Sequence, residues 1–252
     1  MHIILTGATG LVGSAALVAL RARPDVSKIS ILSRRPVPML EGNKDDRIQV
    51  ILHDFKGYDT ALKERLQGAQ GVVWALGISQ TAVSKEEYIH ITKTMTLEAA
   101  QAFEQLKSDE SDNFKFVFVS GEGATSEPGR FTALFGRVKG ETETALMEME
   151  AKNPHFHALI VRPAFVDPED QHAIHPWIPQ GSVLKRAGEY AFGPVIRGLF
   201  KGMHSPTAPL GEFLAGLAVG SYDGRLKGEG VEMHGASVLV NNLGFRRVMN
   251  LH

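Results

Sequence analysis

Three glycines and two guanidiniums carry the clearest chemistry in this chain of 252 residues. Gly7-Ala8-Thr9-Gly10-Leu11-Val12-Gly13 follows the apolar run Ile3 to Leu5 and opens a segment of helical period. Glycines suit a strand-to-helix turn that must be tight, bring its backbone close to a pyrophosphate and pack its helix closely on the strand. The free N–H groups at the helix start, favoured by the macrodipole, would take the negative charge. Thr9, Leu11 and Val12 lie in the same turn and are expected to hold the cofactor with Gly7, Gly10 and Gly13. About 20 residues further on, a carboxylate would hold the ribose hydroxyls of NAD. Ser33-Arg34-Arg35 stand there instead. Two guanidiniums without an acid suit bidentate bonds to a 2′-phosphate, so NADP(H) is the expected cofactor.

Positioning such a turn requires a sheet, and the chain supplies one. The runs Ile3 to Leu5, Ile29 to Leu32, Val50 to Leu52, Val72 to Leu76, Phe116 to Val119 and Leu159 to Val161 are short and rich in apolar, often β-branched, residues, as strands buried on both faces require. Between them, Leu11 to Ala22, Tyr58 to Leu66, Lys85 to Leu106 and Phe131 to Ala151 repeat apolar residues every three or four positions. This alternation predicts an α/β fold, a Rossmann-type doubly wound parallel sheet with right-handed crossovers. We expect one NAD(P)-binding domain over residues 1–252, with a small variable substrate lobe at 164–209 where prolines and glycines crowd the chain. A helix near Leu210 to Tyr222 and a strand around Ser237 to Val240 should follow. Asp109 to Asn113 reads as a solvated loop.

Composition narrows the function. Lys plus Arg total 27 against 28 for Asp plus Glu, a formal charge of −1, which argues against nucleic acid or anionic lipid as a partner. With no cysteine, thiolate catalysis, zinc ribbons and disulfides are excluded. No apolar stretch approaches the roughly 20 residues of a membrane helix, and strand pattern begins at the first residues, so a cytoplasmic protein is expected.

The glycine turn, Ser33-Arg34-Arg35, His53-Asp54-Phe55, Trp74-Ala75-Leu76-Gly77, Val119-Ser120, Lys139-Gly140-Glu141 and Val161-Arg162-Pro163 together resemble the atypical short-chain dehydrogenase/reductases, most nearly a Tat-interacting-protein-like oxidoreductase branch. The resemblance covers roughly residues 1–168. It implies that Asp54 meets the adenine amino group beside Phe55, that Ala75, Leu76 and Gly77 pass close to the cofactor, and that Pro163, Ala164 and Val166 line the nicotinamide side. It also implies a serine at the end of the fifth strand and a Tyr-x-x-x-Lys pair on the next helix, whose lysine depresses the phenol's pKa and holds the ribose. Ser120 and Lys139 occupy those places, but Phe135 stands where the tyrosine belongs. A phenyl ring donates no proton. The chain would then bind NADP(H) without turnover, draw the proton from Ser120, Glu122 or a lobe residue such as Tyr190, or carry out non-redox lyase or isomerase chemistry. The leading expectation is an NADP(H)-dependent oxidoreductase acting on a small carbonyl or otherwise reducible substrate, as monomer or homodimer.

His172 and His175, close in sequence to Asp167, Glu169 and Asp170, lie in a Pro-flanked loop without fixed facial geometry, so no metal is expected. Ser182 and Ser205 lack a Gly-x-Ser-x-Gly elbow for hydrolysis. Trp177 and Phe192 read as pocket walls or core.

Overall fold

Residues 1–42, 44–106, 113–178 and 200–251 are described by a computed structural model. The six expected runs form β1 (His2–Thr6), β2 (Lys28–Ser33), β3 (Ile48–Leu52), β4 (Gly71–Trp74), β5 (Phe114–Val119) and β6 (Phe156–Arg162). Later in the chain come β7 (Phe165–Asp167), β8 (His204–Pro206), β9 (Val231–His234) and β10 (Ser237–Asn241). Eight strands make one sheet in the order β3-β2-β1-β4-β5-β6-β10-β9, parallel except for the β10–β9 pair. The chain reverses its direction of winding between β1 and β4, which opens a crevice at their C-terminal ends.

Alternation along each strand builds the two layers. Ile3, Leu5, Val117 and Val119 face one core with Leu17 and Leu20 of α1 (Leu11–Ala22) and Leu210 and Leu214 of α6 (Thr207–Ala218). Ile4, Trp74, Phe116 and Phe118 face the other, with Leu62 of α2 (Thr60–Leu66), Ala99 of α4 (Met95–Phe103) and Leu146 of α5 (Leu134–Lys152). This is the expected doubly wound architecture.

Several boundaries shift for local reasons. α2 starts at Thr60 because the Asp59 carboxylate accepts the Leu62 N–H at 2.8 Å. The expected helix from Lys85 is α3 (Lys85–Ile89), a π-helical segment at His90–Thr94 and then α4. The helix expected near Leu210 already starts at Thr207 as α6, since proline is tolerated in a first helical turn. β9 and the short α7 (Asn242–Val248) were not expected: β9 is a largely exposed edge without alternating burial, and α7 is announced only by the Asn241 cap, which accepts the Gly244 N–H at 3.0 Å. Within the lobe, β7 and β8 pair in parallel, and His204 Nε2 lies 2.9 Å from Asp167 Oδ2. Most of the Asp109 to Asn113 loop, and Ser182, Tyr190 and Phe192, lie outside the described residues.

His2 makes the sheet sensitive to acid. Its ring is buried in β1 with Nε2 2.8 Å from Ser30 Oγ. Burial, reinforced by the Lys28 charge, pushes its pKa from 6.5 down to about 4. Between those values the unfolded chain binds a proton that the fold refuses, so this stabilisation is full above about 6.5 and lost as pH falls toward 4. Melting temperature should drop across that window, and less steeply in His2→Gln. Equal slopes would assign the acid loss to other groups.

Candidate dinucleotide site

The three glycines of the first turn have three different physical reasons. Gly7 has φ +70°, and a Cβ on it would lie 2.2 Å from the Ala75 carbonyl oxygen. A Cβ on Gly13 would lie 2.0 Å from the Gly7 oxygen, so α1 could not sit this close to β1. Gly10 differs: a Cβ there would meet only the Gly7 oxygen, at 3.3 Å. Packing presses on this position less than on Gly7 and Gly13. What Gly10 leaves bare is the start of α1, where no side chain caps the helix and the first turn holds no acid. Leu11, Val12 and Gly13 form that turn.

A cleft of about 490 Å³ opens at the crevice. Gly7, Thr9 and Gly10 form one wall, Ser33, Arg34 and Arg35 another, and Phe55 with Ala75, Leu76 and Gly77 the rest. Leu32 is the one lining residue that was not expected. Both arginines are exposed, and Arg35 Nη2 donates to Thr9 Oγ1 at 3.4 Å, which bridges the glycine turn and the end of β2. The Leu76 N–H donates to Thr6 Oγ1 at 3.2 Å, tying the third wall to β1. A bare helix start and two exposed guanidiniums around one cleft fit a phosphorylated dinucleotide.

Asp54 is not part of this lining. Its carboxylate borders a separate concavity and accepts the Lys56 N–H at 3.0 Å. The turn is made at Phe55, whose φ of 63° is unusual for a side-chain-bearing residue. That turn buries the Phe55 ring against Trp74, with centroids 5.8 Å apart and nearly perpendicular planes.

At the end of β5 the expected residues gather but turn inward. Ser120 is buried, and its hydroxyl donates to the Glu143 carboxylate of α5. Arg162, at the end of β6, holds the same carboxylate through Nε at 3.0 Å and Nη2 at 2.5 Å. Lys139 is buried, donates to the Val119 carbonyl at 2.8 Å and lies 4.7 Å from the Phe118 ring centroid. Burial pushes its pKa down to about 8 despite the nearby Glu143 charge. Neither residue belongs to the cleft lining. Phe135 lies beside this corner: its far ring carbon is the atom nearest to a Cβ built on Gly121, and its N–H donates to Gln80 Oε1 at 2.8 Å.

Glu143 and Arg162 escaped the sequence reading. The available signal was that Glu143 lies four residues after Lys139, on the same helical face. Pro163 accepts the Glu122 N–H at 2.8 Å, the Ala164 N–H donates to Ser205 Oγ at 2.9 Å, and Val166 lies in β7, so these three join the sheet end to the lobe. His175 Nε2 bonds the Pro168 carbonyl at 2.8 Å, and among the described residues no three histidines or carboxylates gather as metal ligands. Nor is any described helix long and apolar enough to cross a membrane.

Comparison with known proteins agrees with this geometry. The model of the NAD dependent epimerase/dehydratase family matches residues 3–163. The chain is 57% identical over 157 residues to botcinic acid biosynthesis cluster B protein 16 of Botryotinia fuckeliana (strain B05.10), covering 62% of this chain and 99% of the relative. It is 32% identical over 257 residues to leucinostatins biosynthesis cluster protein T of Purpureocillium lilacinum, covering 94% and 90%. An oxidoreductase of the short chain dehydrogenase/reductase family from Burkholderia thailandensis shares the fold with a TM-score of 0.69, over 96% of this chain and 91% of that one, at 12% identity. These matches do not single out the Tat-interacting-protein-like branch. They show that the chain belongs to the NAD-dependent epimerase/dehydratase family and shares the fold of a short-chain dehydrogenase/reductase.

Proposed function

We propose that the protein is an NADP(H)-dependent oxidoreductase acting on a small carbonyl-containing or otherwise reducible substrate. The observation that carries this reading is the cleft itself, where an uncapped helix start faces Ser33, Arg34 and Arg35 with no acid in the lining. The glycine turn and the α1 amides would hold the diphosphate, the two arginines the 2′-phosphate, and Phe55 with Ala75 to Gly77 the remaining nucleotide walls. Bound NADP(H) would supply or accept a hydride. Pro163, Ala164 and Val166 would border its reacting end, and the substrate would lie between the sheet edge and the lobe.

Removing both guanidiniums by Arg34→Ala with Arg35→Ala should weaken NADPH binding by about 10- to 100-fold, as expected for lost charge-assisted bonds, while leaving NADH little changed. Calorimetry with both coenzymes checks this. Equal weakening of the two would refute the phosphate clamp. A second reading, a protein that binds NADP(H) without turning it over, is favoured by one observation, the phenyl ring at Phe135. The two readings part on whether reduced-nicotinamide absorbance falls across a carbonyl panel.

A further inference from the structure

Between α1 and α6 the surface opens into a further cavity of about 290 Å³, which shares no lining residue with the dinucleotide cleft. Val18 and Ala22 of α1 stand four residues apart and so on one helical face, as do Ala208 and Glu212 of α6. Three of these four side chains are short and apolar, which leaves a slot between the helices. Gln171, from the lobe, completes the wall. It is only 8% exposed, and its Oε1 is buried with no hydrogen-bond partner. The main chain around it is fixed: the Gln171 N–H donates to the Pro168 carbonyl at 2.8 Å, and the Gln171 carbonyl accepts the Ile174 N–H at 3.1 Å. A buried acceptor without a donor is costly, and a bound N–H would relieve it.

The rim carries two opposite charges, and only one is unspent. Arg23 holds the Asp25 carboxylate through Nε at 3.0 Å and Nη2 at 2.7 Å, and Nη2 also donates to Ser221 Oγ at 2.7 Å. Glu212 makes no ion pair or hydrogen bond among the described residues. We infer that this cavity binds a small primary aliphatic amine as its ammonium ion. The Glu212 carboxylate balances the charge, the Gln171 amide oxygen accepts an N–H, and a short hydrocarbon body lies along Val18, Ala22 and Ala208. The final torsion of a glutamine is soft, so the amide turns to meet the ligand at little cost. A carboxylic acid would bring Glu212 a charge of its own sign, and an alcohol would leave the Glu212 charge unbalanced. The site stands apart from the oxidoreductase reading, because no group of the dinucleotide cleft takes part in it.

Isoamylamine, isoamyl alcohol and isovalerate share one hydrocarbon body and differ in the head group, so titrating each into the full chain by NMR separates charge from apolar fit. The amine should bind with a dissociation constant of about 1 mM, a scale open to so small a ligand. The alcohol and the acid should bind about 10-fold more weakly or worse. Glu212→Gln should weaken the amine by about 10-fold and leave melting unchanged, because Glu212 is exposed and pairs with nothing described. Gln171→Leu should weaken it similarly while holding or raising melting, since it removes a buried polar group that has no partner. Ala22→Trp, at an exposed position, should fill the slot and abolish binding. If that variant does not fold, Ala208→Trp blocks the slot from α6. Equal affinities for the three probes, no amine binding at about 20 mM, or amine affinity unchanged in Glu212→Gln, in Gln171→Leu or in the folded slot-filling variant overturns the inference.

Discussion

Phe135→Tyr is expected to raise carbonyl reduction by about 10²- to 10⁴-fold, the usual worth of a positioned general acid. The ring already lies beside the end of β5. Its far carbon approaches Gly121, the residue after Ser120, and Gln80 anchors its backbone N–H at 2.8 Å. Lys139 is one helical turn away, with an ammonium whose pKa burial has pushed down to about 8. A phenol added there gives the corner a proton donor beside Ser120, whose own hydroxyl hydrogen goes to Glu143. Steady-state rates of NADPH oxidation over a ketone panel measure the effect. Rates unchanged from the parent, with the variant folded and binding NADPH, would show that proton delivery does not pass through this corner.

Glu143→Ala should cost about 3–5 kcal/mol, because it takes from the partly buried Arg162 guanidinium the carboxylate that accepts its Nε and Nη2 hydrogen bonds. The Arg162 side chain is 18% exposed and that of Glu143 only 2%, so water replaces little of the lost partner. In a chain of this size each kcal/mol moves melting by about 2–4 °C, which predicts a fall of roughly 6–20 °C. Removing both charges, as in Glu143→Leu with Arg162→Met, should recover most of that loss, since the cost lies in leaving one charge unpaired rather than in the pair itself. Equal melting temperatures for the single and double variants would contradict this account.

The cleft was legible because its parts are local. Gly7 to Gly13 spans one turn, and Ser33 to Arg35 and Ala75 to Gly77 each follow directly from a strand end, so finding the strands located the walls. α1 has the expected bounds for the same reason: its apolar period and its glycine start are both written in consecutive residues. The direction of Asp54 was not legible in the sequence, because it depends on the backbone of its neighbour. Phe55 adopts a left-handed turn that sends its own ring into the core and leaves the carboxylate outside the cleft.

The partnership of Glu143 and Arg162 needed the fold. The two residues are 19 positions apart, and only the packing of α5 against β6 brings them to 2.5 Å. The same packing decides that Ser120 gives its hydrogen inward and that Lys139 points at Val119. Residue order alone therefore settled the doubly wound sheet and the nucleotide turn, since strand burial and glycine geometry act over a few neighbouring positions. The direction of each hydrogen bond at the chemical end was left to the tertiary structure, because a buried donor takes whichever acceptor the surrounding elements bring within reach.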